Sequence, residues 1–535
     1  MRTHIGGRNV RRRHLIVVLV AWLGSLAAAG MTGVLVHKYR SDIRSLLAGS
    51  VIETNLYTLH VVKVDLPTDG RPSARGGIDG RDGGIAALNG GVLVADRIGR
   101  TWFVGDEREP QPLGLQIPIN SADFESDPYN EGTTMRSRFA VKDILFQRSE
   151  GRLRVLASYD HWDLDQDCYR LRVSSVDTNS TALLSGQAYD PGAWTDLFET
   201  ACVPLSENKN GTVRNPTNGA GGRLVSLGEN EVLLSFGGFG PATPDDPEGP
   251  YGKTVRIDVA TGDHEYFTQG HRNPQGLYAT SMGEIWLTEH GERGGDELNR
   301  LEQGADYGFP SVSYGTRYES MRWAGNPYQG RHEGFRKPVY AWVPSIGVSQ
   351  LIMVEGELFD LWRGDLLVSS LGANSLFRVR LEGGHAVFAE PIHVGHRIRD
   401  IVELDDGTIA LKTDDDVLIF IRPLNAEELA TAVDDPVLRG QFLAATCSGC
   451  HSFDEDGTDA LGPVLWGVVG SPVASRGGFA YSEALQGVGG RWTAERLGAF
   501  LQDPPAFAPG TTMEVSTSFS QAQLQDLVAY LETLR

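Results

Sequence analysis

Between about Ile52 and Pro423 one pattern recurs: a short apolar strand, a Gly or Asp turn, then a second strand alternating apolar with polar or basic residues. Six copies are present. They are GGVLVADRIGRTWFV from Gly90, GRLRVLASYDHW with CYRLRVSSV from Gly151, NEVLLSFG with KTVRIDV from Asn230, GEIWLTEHGERGGDELNRL from Gly283, GDLLVSSLGANSLFRVRL from Gly364, and GTIALKTDDDVLIFIR from Gly407. At roughly sixty residues per copy, such hairpins suit the blades of an all-β six-bladed propeller with long loops on one face. A β-sandwich is the alternative, because hairpin periodicity alone does not decide how strands close on one another. The 65 glycines, many of them paired or beside Asp, point the same way, to a turn-rich β architecture.

The pattern stops at Pro423. Residues 424–436 are acidic and Ala/Glu-rich and read as a linker. Beyond them Val437 to Thr446 and Gln521 to Leu534 carry apolar residues at three and four spacing, so residues 437–535 form a small all-α domain. That domain contains CSGCH at Cys447 to His451. A C-x-x-C-H run is the attachment signature of haem c: Cys447 and Cys450 form thioethers to the vinyl groups, and His451 is then held beneath the iron as an axial ligand. Alone it also reads as a redox dithiol. Against that stand the Pro-containing loop GPVLWGVVG at Gly462 and, about sixty residues downstream, Met513 in PGTTM, whose thioether can approach the opposite haem face.

The N-terminus bears on compartment. Arg2, Arg8, Arg11, Arg12 and Arg13 precede an uncharged run over residues 15–36, long enough to cross about 30 Å of hydrocarbon, and His37, Lys38 and Arg40 close it. Residues 1–14 then form a basic cytoplasmic tail, 15–36 a single transmembrane helix and 37–51 a stalk, with the body of the protein in the periplasm. A cleaved signal peptide ending at Ala27-Ala28-Ala29 is the competing reading, and either way the chain is exported. In an oxidising compartment Cys168 and Cys202 pair, two separate buried thiols being the alternative. A net charge of −21 excludes a nucleic-acid partner, since phosphate neutralisation needs clustered Lys and Arg.

Residues 437–535, including FAYSEAL at Phe479 and RWTAERLGAFLQDP at Arg491, resemble the class I cytochromes c over their whole length. The resemblance implies His451 and Met513 as iron ligands, a Pro463 carbonyl orienting the His451 ring, and Tyr481 and Trp492 facing the haem propionates. The run EVSTSFS after Met513 departs from the family pattern.

Two further runs, HRNPQG at His271 and EHGERGGDELNRLEQGADYGFP at Glu289, resemble the soluble aldose (glucose/sorbosone) dehydrogenases, six-bladed propellers that use pyrroloquinoline quinone (PQQ) and calcium. The resemblance implies that Arg272 and Asn273, with His290 beside them, contact the quinone, joined by Arg397 and Arg399 of GHRIRDI. It gives the Gly291 and Glu292 carbonyls to a calcium that polarises the quinone. Glu297 and the Tyr307 carbonyl fall to a structural calcium. Guanidinium forks suit carboxylates, and exposed carbonyls suit a hard cation.

The departures matter as much. The family's general base lies four residues before the Arg of GGRL, here at Gly219. LLSFGGFG around Phe236 offers no carboxylate, and Gly372 occupies the place of the lysine that neutralises the reduced quinone. His264 and His161 are the remaining candidates for a base. The expected function is a dehydrogenase that oxidises a sugar or alcohol and passes electrons through its own haem to a partner cytochrome or terminal oxidase. The rival is a non-catalytic binding propeller carrying an electron-relay cytochrome.

Overall fold

The computed structural model describes residues 51–67, 82–127, 139–149, 152–204, 206–207, 213–214, 221–237, 249–316, 331–424, 436–447, 450–455, 457–459, 461–513 and 519–535. The apolar run at 15–36, position 219 and residues 514–518 lie outside this set. Among the described residues no helix is long and apolar enough to cross a membrane. The chain divides into two compact units, one of them Ile52–Pro423 and the other holding Leu424–Arg535.

The first unit is a six-bladed β-propeller. Six antiparallel sheets follow in chain order, over 84–112 (blade 1), 141–204 (blade 2), 221–269 (blade 3), 274–342 (blade 4), 348–393 (blade 5) and 398–423 (blade 6). Each recurring hairpin of the sequence falls in a different blade, mostly as its second and third strands. Their innermost strands are Gly84–Leu88, Val141–Ser149, Gly221–Ser226, Pro274–Ala279, Val348–Met353 and Ile398–Glu403. Each packs against the next, and the last packs against the first. That closed cycle is what separates a propeller from a sandwich.

Blade 6 is completed by the strand Thr58–Asp65, which pairs with Val417–Pro423 from Leu59↔Pro423 to Asp65↔Val417. Joining the two ends of the unit in one sheet removes the open edges that a linear row of blades would leave. The second strands are buried on both faces, as Gly91–Ala95 shows, because each blade packs between two neighbours. Val92 and Val94 of blade 1, for example, meet Ala410, Leu418 and Phe420 of blade 6. This is why these strands read as continuous Val/Leu/Ile runs.

Five inner strands begin with the same irregularity: the register slips between Val141 and Asp143, Gly221 and Leu224, Pro274 and Gly276, Val348 and Leu351, and Ile398 and Asp400. A bulge re-aims side chains and is favoured beside functional sites. One product is a buried hub at Arg223. Its Nη1 donates to Asp143 Oδ1 (3.1 Å) and Asp400 Oδ2 (3.0 Å), its Nη2 to the Arg399 carbonyl (2.7 Å) and its Nε to the Gln275 carbonyl (3.0 Å). One guanidinium therefore ties blades 2, 3, 4 and 6. Within the ring of inner strands lies a cavity of about 410 Å³ lined by residues such as Asp143, Gln350 and Asp400.

Cys168 and Cys202 form a disulfide, with Cα atoms 5.6 Å apart, in blade 2. The second unit is helical: Pro436–Ala444, Glu483–Val488, Ala494–Gln502, Pro504–Phe507 and Gln521–Thr533. The first and last of these pack together and share a bidentate pair, Arg439 with Asp526 at 2.7 Å on both oxygens.

Candidate functional sites

In the helical unit Pro436–Ala444 runs into a 3₁₀ turn, Ala445–Cys447. The amides of Cys450 and His451 both donate to the Cys447 carbonyl, at 3.1 and 3.0 Å. This single turn brings both thiols and the imidazole to one cavity of about 640 Å³, which Tyr481, Trp492 and Met513 also line. His451 Nδ1–H donates to the Pro463 carbonyl at 2.7 Å, the partner expected from the sequence. That bond fixes the tautomer and leaves the Nε2 lone pair for a metal. The adjacent Gly462 is a packing requirement, since a Cβ there would stand 2.3 Å from His451 Cε1. Cavity, thiols, directed imidazole and thioether together fit a covalently held haem with His and Met ligation. Sequence spacing offered no sign of Arg476, which also lines the cavity and donates from Nε to Asp459 Oδ1 at 2.7 Å.

In the propeller the residues expected at a quinone lie where the chain enters inner strands or, for His290, where it leaves the neighbouring second strand. Arg272 and Asn273 immediately precede Pro274–Ala279, His290 follows Ile285–Glu289, and Arg397 and Arg399 flank the first residue of Ile398–Glu403. The charges of Arg272 and Arg399 both act on His290. Arg399 donates from Nε and Nη2 to the two oxygens of Asp414 (2.8 and 3.0 Å), and Arg397 Nε shares Asp414 at 3.0 Å. Burial opposes ionisation of Asp414, yet the two guanidiniums hold its carboxyl below the usual range. The Arg397 side chain is 46% exposed, so it presents charge at the rim. These donors fit a planar anionic ligand rich in carbonyls and carboxylates.

His290 is held from both sides. Its Nε2 donates to the Val348 carbonyl (2.6 Å) and its Nδ1 accepts from Asn273 Nδ2 (3.3 Å). Burial lowers its pKa, so it is a neutral imidazole with no nitrogen left for proton transfer. The two other histidines considered for a base point elsewhere. His264 begins the exposed outermost strand of blade 3, paired with Ile257 and remote from the Lys253–Gln269 end. His161 pairs across the strands of blade 2 with Arg170, and burial, followed by the Arg172 charge, lowers its pKa. The base position itself, Gly219, lies outside the described residues. Gly372 is not a gap that a lysine could simply fill, because a Cβ there would lie 2.6 Å from the Ile346 carbonyl oxygen.

Of the expected calcium ligands, the Gly291 carbonyl accepts from Arg272 Nη1 at 2.7 Å. A divalent cation at that oxygen would meet the guanidinium charge, so the expected Gly291 and Glu292 carbonyl pair does not fit calcium in this arrangement. Glu297 does. It lies directly opposite buried Glu289 across two strands, and Asn299 Nδ2 bridges them at 3.4 and 3.0 Å. Burial, then the Glu289 carboxylate, pushes the Glu297 pKa well above the usual range, and Asn299 Oδ1 is buried without a partner. Two facing carboxylates suit a hard cation, while Asn299 Oδ1 lies on the far side of the amide whose Nδ2 they share. Tyr307 stacks on His271 beside them, its hydroxyl donating to the Arg300 carbonyl.

Comparison with known proteins agrees with the division into units. A "Glucose / Sorbosone dehydrogenase" family profile matches residues 205–421 and a "Cytochrome c" profile residues 437–535. An uncharacterized Synechocystis protein, slr1608, is 27% identical over 361 residues, covering 62% of this chain and 81% of its own. Aldose sugar dehydrogenase YliI of Escherichia coli K12 is 28% identical over 230 residues, 39% of this chain and 61% of its own length, so the chain spans less than two thirds of that relative. A crystal structure of glucose dehydrogenase superposes with a TM-score of 0.53 at 23% identity, over 68% of this chain and 99% of that one, a likeness of fold.

Proposed function

We propose, for a chain that carries a glucose/sorbosone dehydrogenase domain followed by a cytochrome c domain, that the propeller oxidises a sugar or another alcohol and the haem takes the electrons away singly. The observation that carries this reading is the set of cationic and amide donors, Arg272, Asn273, Arg397 and Arg399, at the starts of inner strands of one propeller. When bound, pyrroloquinoline quinone supplies the two-electron oxidant. Arg272 and Arg399 hold its anionic groups in a buried setting, Arg397 closes the rim, and Asn273 with neutral His290 orients the ligand face. In the helical domain Cys447 and Cys450 would hold the haem covalently, and His451 and Met513 would ligate its iron for one-electron transfer. Glu297 and Glu289 would hold a structural calcium, which would balance their facing carboxylates. Residues 15–36 anchor the chain in the inner membrane with both domains in the periplasm, where a partner cytochrome or terminal oxidase collects the electrons.

The test is to load the haem, add PQQ and calcium, and follow the reduced haem band while supplying a panel of aldoses and alcohols. Reduction that needs both quinone and substrate supports the reading. Absence of reduction together with no quinone binding leaves a binding propeller joined to a relay cytochrome. The calcium assignment has its own readout. Chelation is expected to lower the melting temperature of the propeller, because a ligand bound only to the native state stabilises by mass action, and an unchanged melting temperature removes the site.

A further inference from the structure

The residue that the bulge of Val141–Ser149 turns out of its strand is Lys142, whose side chain is only 8% exposed. Its ammonium lies 3.0 Å from Asp160 Oδ2 and 3.8 Å from Asp82 Oδ2. Asp82 Oδ1 in turn lies 3.8 Å from Arg399 Nη1, so the lysine shares a carboxylate with an arginine of the quinone site. Room for the lysine stem comes from Gly222 of GGRL. That residue has a φ of +102°, and a Cβ on it would stand 2.6 Å from Lys142 Cβ. Burial works against the ammonium, yet Asp160 and Asp82 outweigh it and hold Lys142 charged.

An ion pair buried merely to fasten strands is a poor device, since apolar replacements are often neutral or stabilising. This pair is also incompletely satisfied. Asp160 Oδ1 and the Tyr169 hydroxyl are both buried without hydrogen-bond partners, and the Asp160 charge acts on that hydroxyl. A buried carboxylate oxygen left unsatisfied beside a buried cation calls for an explanation beyond fastening.

We infer that Lys142 is the fixed positive charge that stabilises negative charge arriving on the bound quinone, and that Asp160 and Asp82 are its positioning residues. The inference rests on the dehydrogenase reading above. Oxidation of CH–OH to C=O breaks one C–H and one O–H bond. The carbon-bound hydrogen leaves with its electron pair to the quinone, and the oxygen-bound proton leaves to solvent. Electrons so delivered load the oxidant's oxygens, and a preorganised ammonium out of water stabilises that charge far more than it would in bulk solvent. Lys142 thus supplies from blade 2 the charge that the backbone at Gly372 has no room to carry.

The test uses the full-length, haem-loaded chain with PQQ as probe. K142M/D160N removes both charges, so no uncompensated ion is left buried, while K142R keeps the charge. Quinone titration, the midpoint potential of the bound quinone and substrate-driven haem reduction are measured on each. The double variant is expected to bind oxidised quinone within tenfold of the wild type. Its quinone redox equilibrium should shift at least tenfold toward the oxidised form, about 30 mV for a two-electron couple. Haem reduction should slow on the order of 10²-fold, and K142R should restore the potential. Wild-type potential and rate in the double variant overturn the inference and leave the dehydrogenase reading standing. A wild-type chain that binds no quinone overturns that reading first. Where the double variant fails to melt as the wild type does, D82N decides, since the Asp82 side chain is 23% exposed and its removal leaves the buried pair intact. Loss of that anion should raise the quinone potential, and an unmoved potential overturns the inference.

Discussion

Met513→Ala is expected to leave the haem covalently attached while lowering its potential by on the order of 0.1–0.3 V, a fraction of the roughly 0.8 V that axial ligands span. Attachment depends on Cys447 and Cys450, which the substitution does not touch. With Met513 as its ligand, the iron would lose a thioether that stabilises its reduced form, and water or another side chain would take the place. For a one-electron couple 59 mV is tenfold in equilibrium, so the variant should hold electrons from the propeller at least about 50-fold less well. Spectropotentiometry of the purified chain checks this. An unchanged potential and spectrum would remove Met513 as a ligand. Met513 lines the same cavity as His451, and the Pro463 carbonyl already holds that imidazole, so a change confined to the Met side is the specific expectation.

Arg223→Met carries the largest expected effect on stability. Among the described residues Arg223 is the one cation bonded to both Asp143 and Asp400, all three side chains being buried. Removing it leaves two carboxylates without their counter-charge, a loss of about 3–5 kcal/mol for a broken buried pair. The loss should depend on pH with a definite sign. Burial already pushes Asp143 up to about 7, Arg223 pulling it down and Asp400 pushing it up. A carboxyl whose folded pKa is raised above about 3.9 binds its proton more tightly when folded, so its destabilising effect is absent at low pH and grows as pH climbs toward the folded value. Without Arg223 the folded value rises further. The variant should therefore be closest to wild type near pH 5 and furthest from it near pH 8, measured by denaturant unfolding at each pH. Equal losses at both would show that the hub acts through packing rather than charge.

The six hairpins could be read from sequence because the second and third strands of each blade are squeezed between neighbouring blades, and such strands must be apolar. The inner strands could not. Runs such as VKDILFQ at Val141 and IRDIVE at Ile398 put Lys142, Asp143, Arg399 and Asp400 where a simple alternation rule expects apolar side chains, and only the bulges explain which way each residue points. The candidate haem-binding run was legible for a different reason: Cys447, Cys450 and His451 all fall within the CSGCH pentapeptide. Arg272, Asn273, Arg397 and Arg399 stood out through resemblance, without any indication that Asp414 would engage both late arginines.

By itself, the order of residues in this chain determined the number of blades, the place where strand periodicity gives way to helical periodicity, and the CSGCH run that nominates a haem site, since each depends on neighbours within a few dozen residues. Only the tertiary structure decided that the blades close into a ring through Thr58–Asp65 against Val417–Pro423, that Cys168 meets Cys202, and that the Gly291 carbonyl serves Arg272. It also decided that Lys142, Asp160, Asp82 and Arg399 form one charge cluster. Those contacts join residues up to several hundred positions apart. Electrostatic partnership in a buried site depends on distances of a few ångströms, which ring closure sets and which linear spacing does not record.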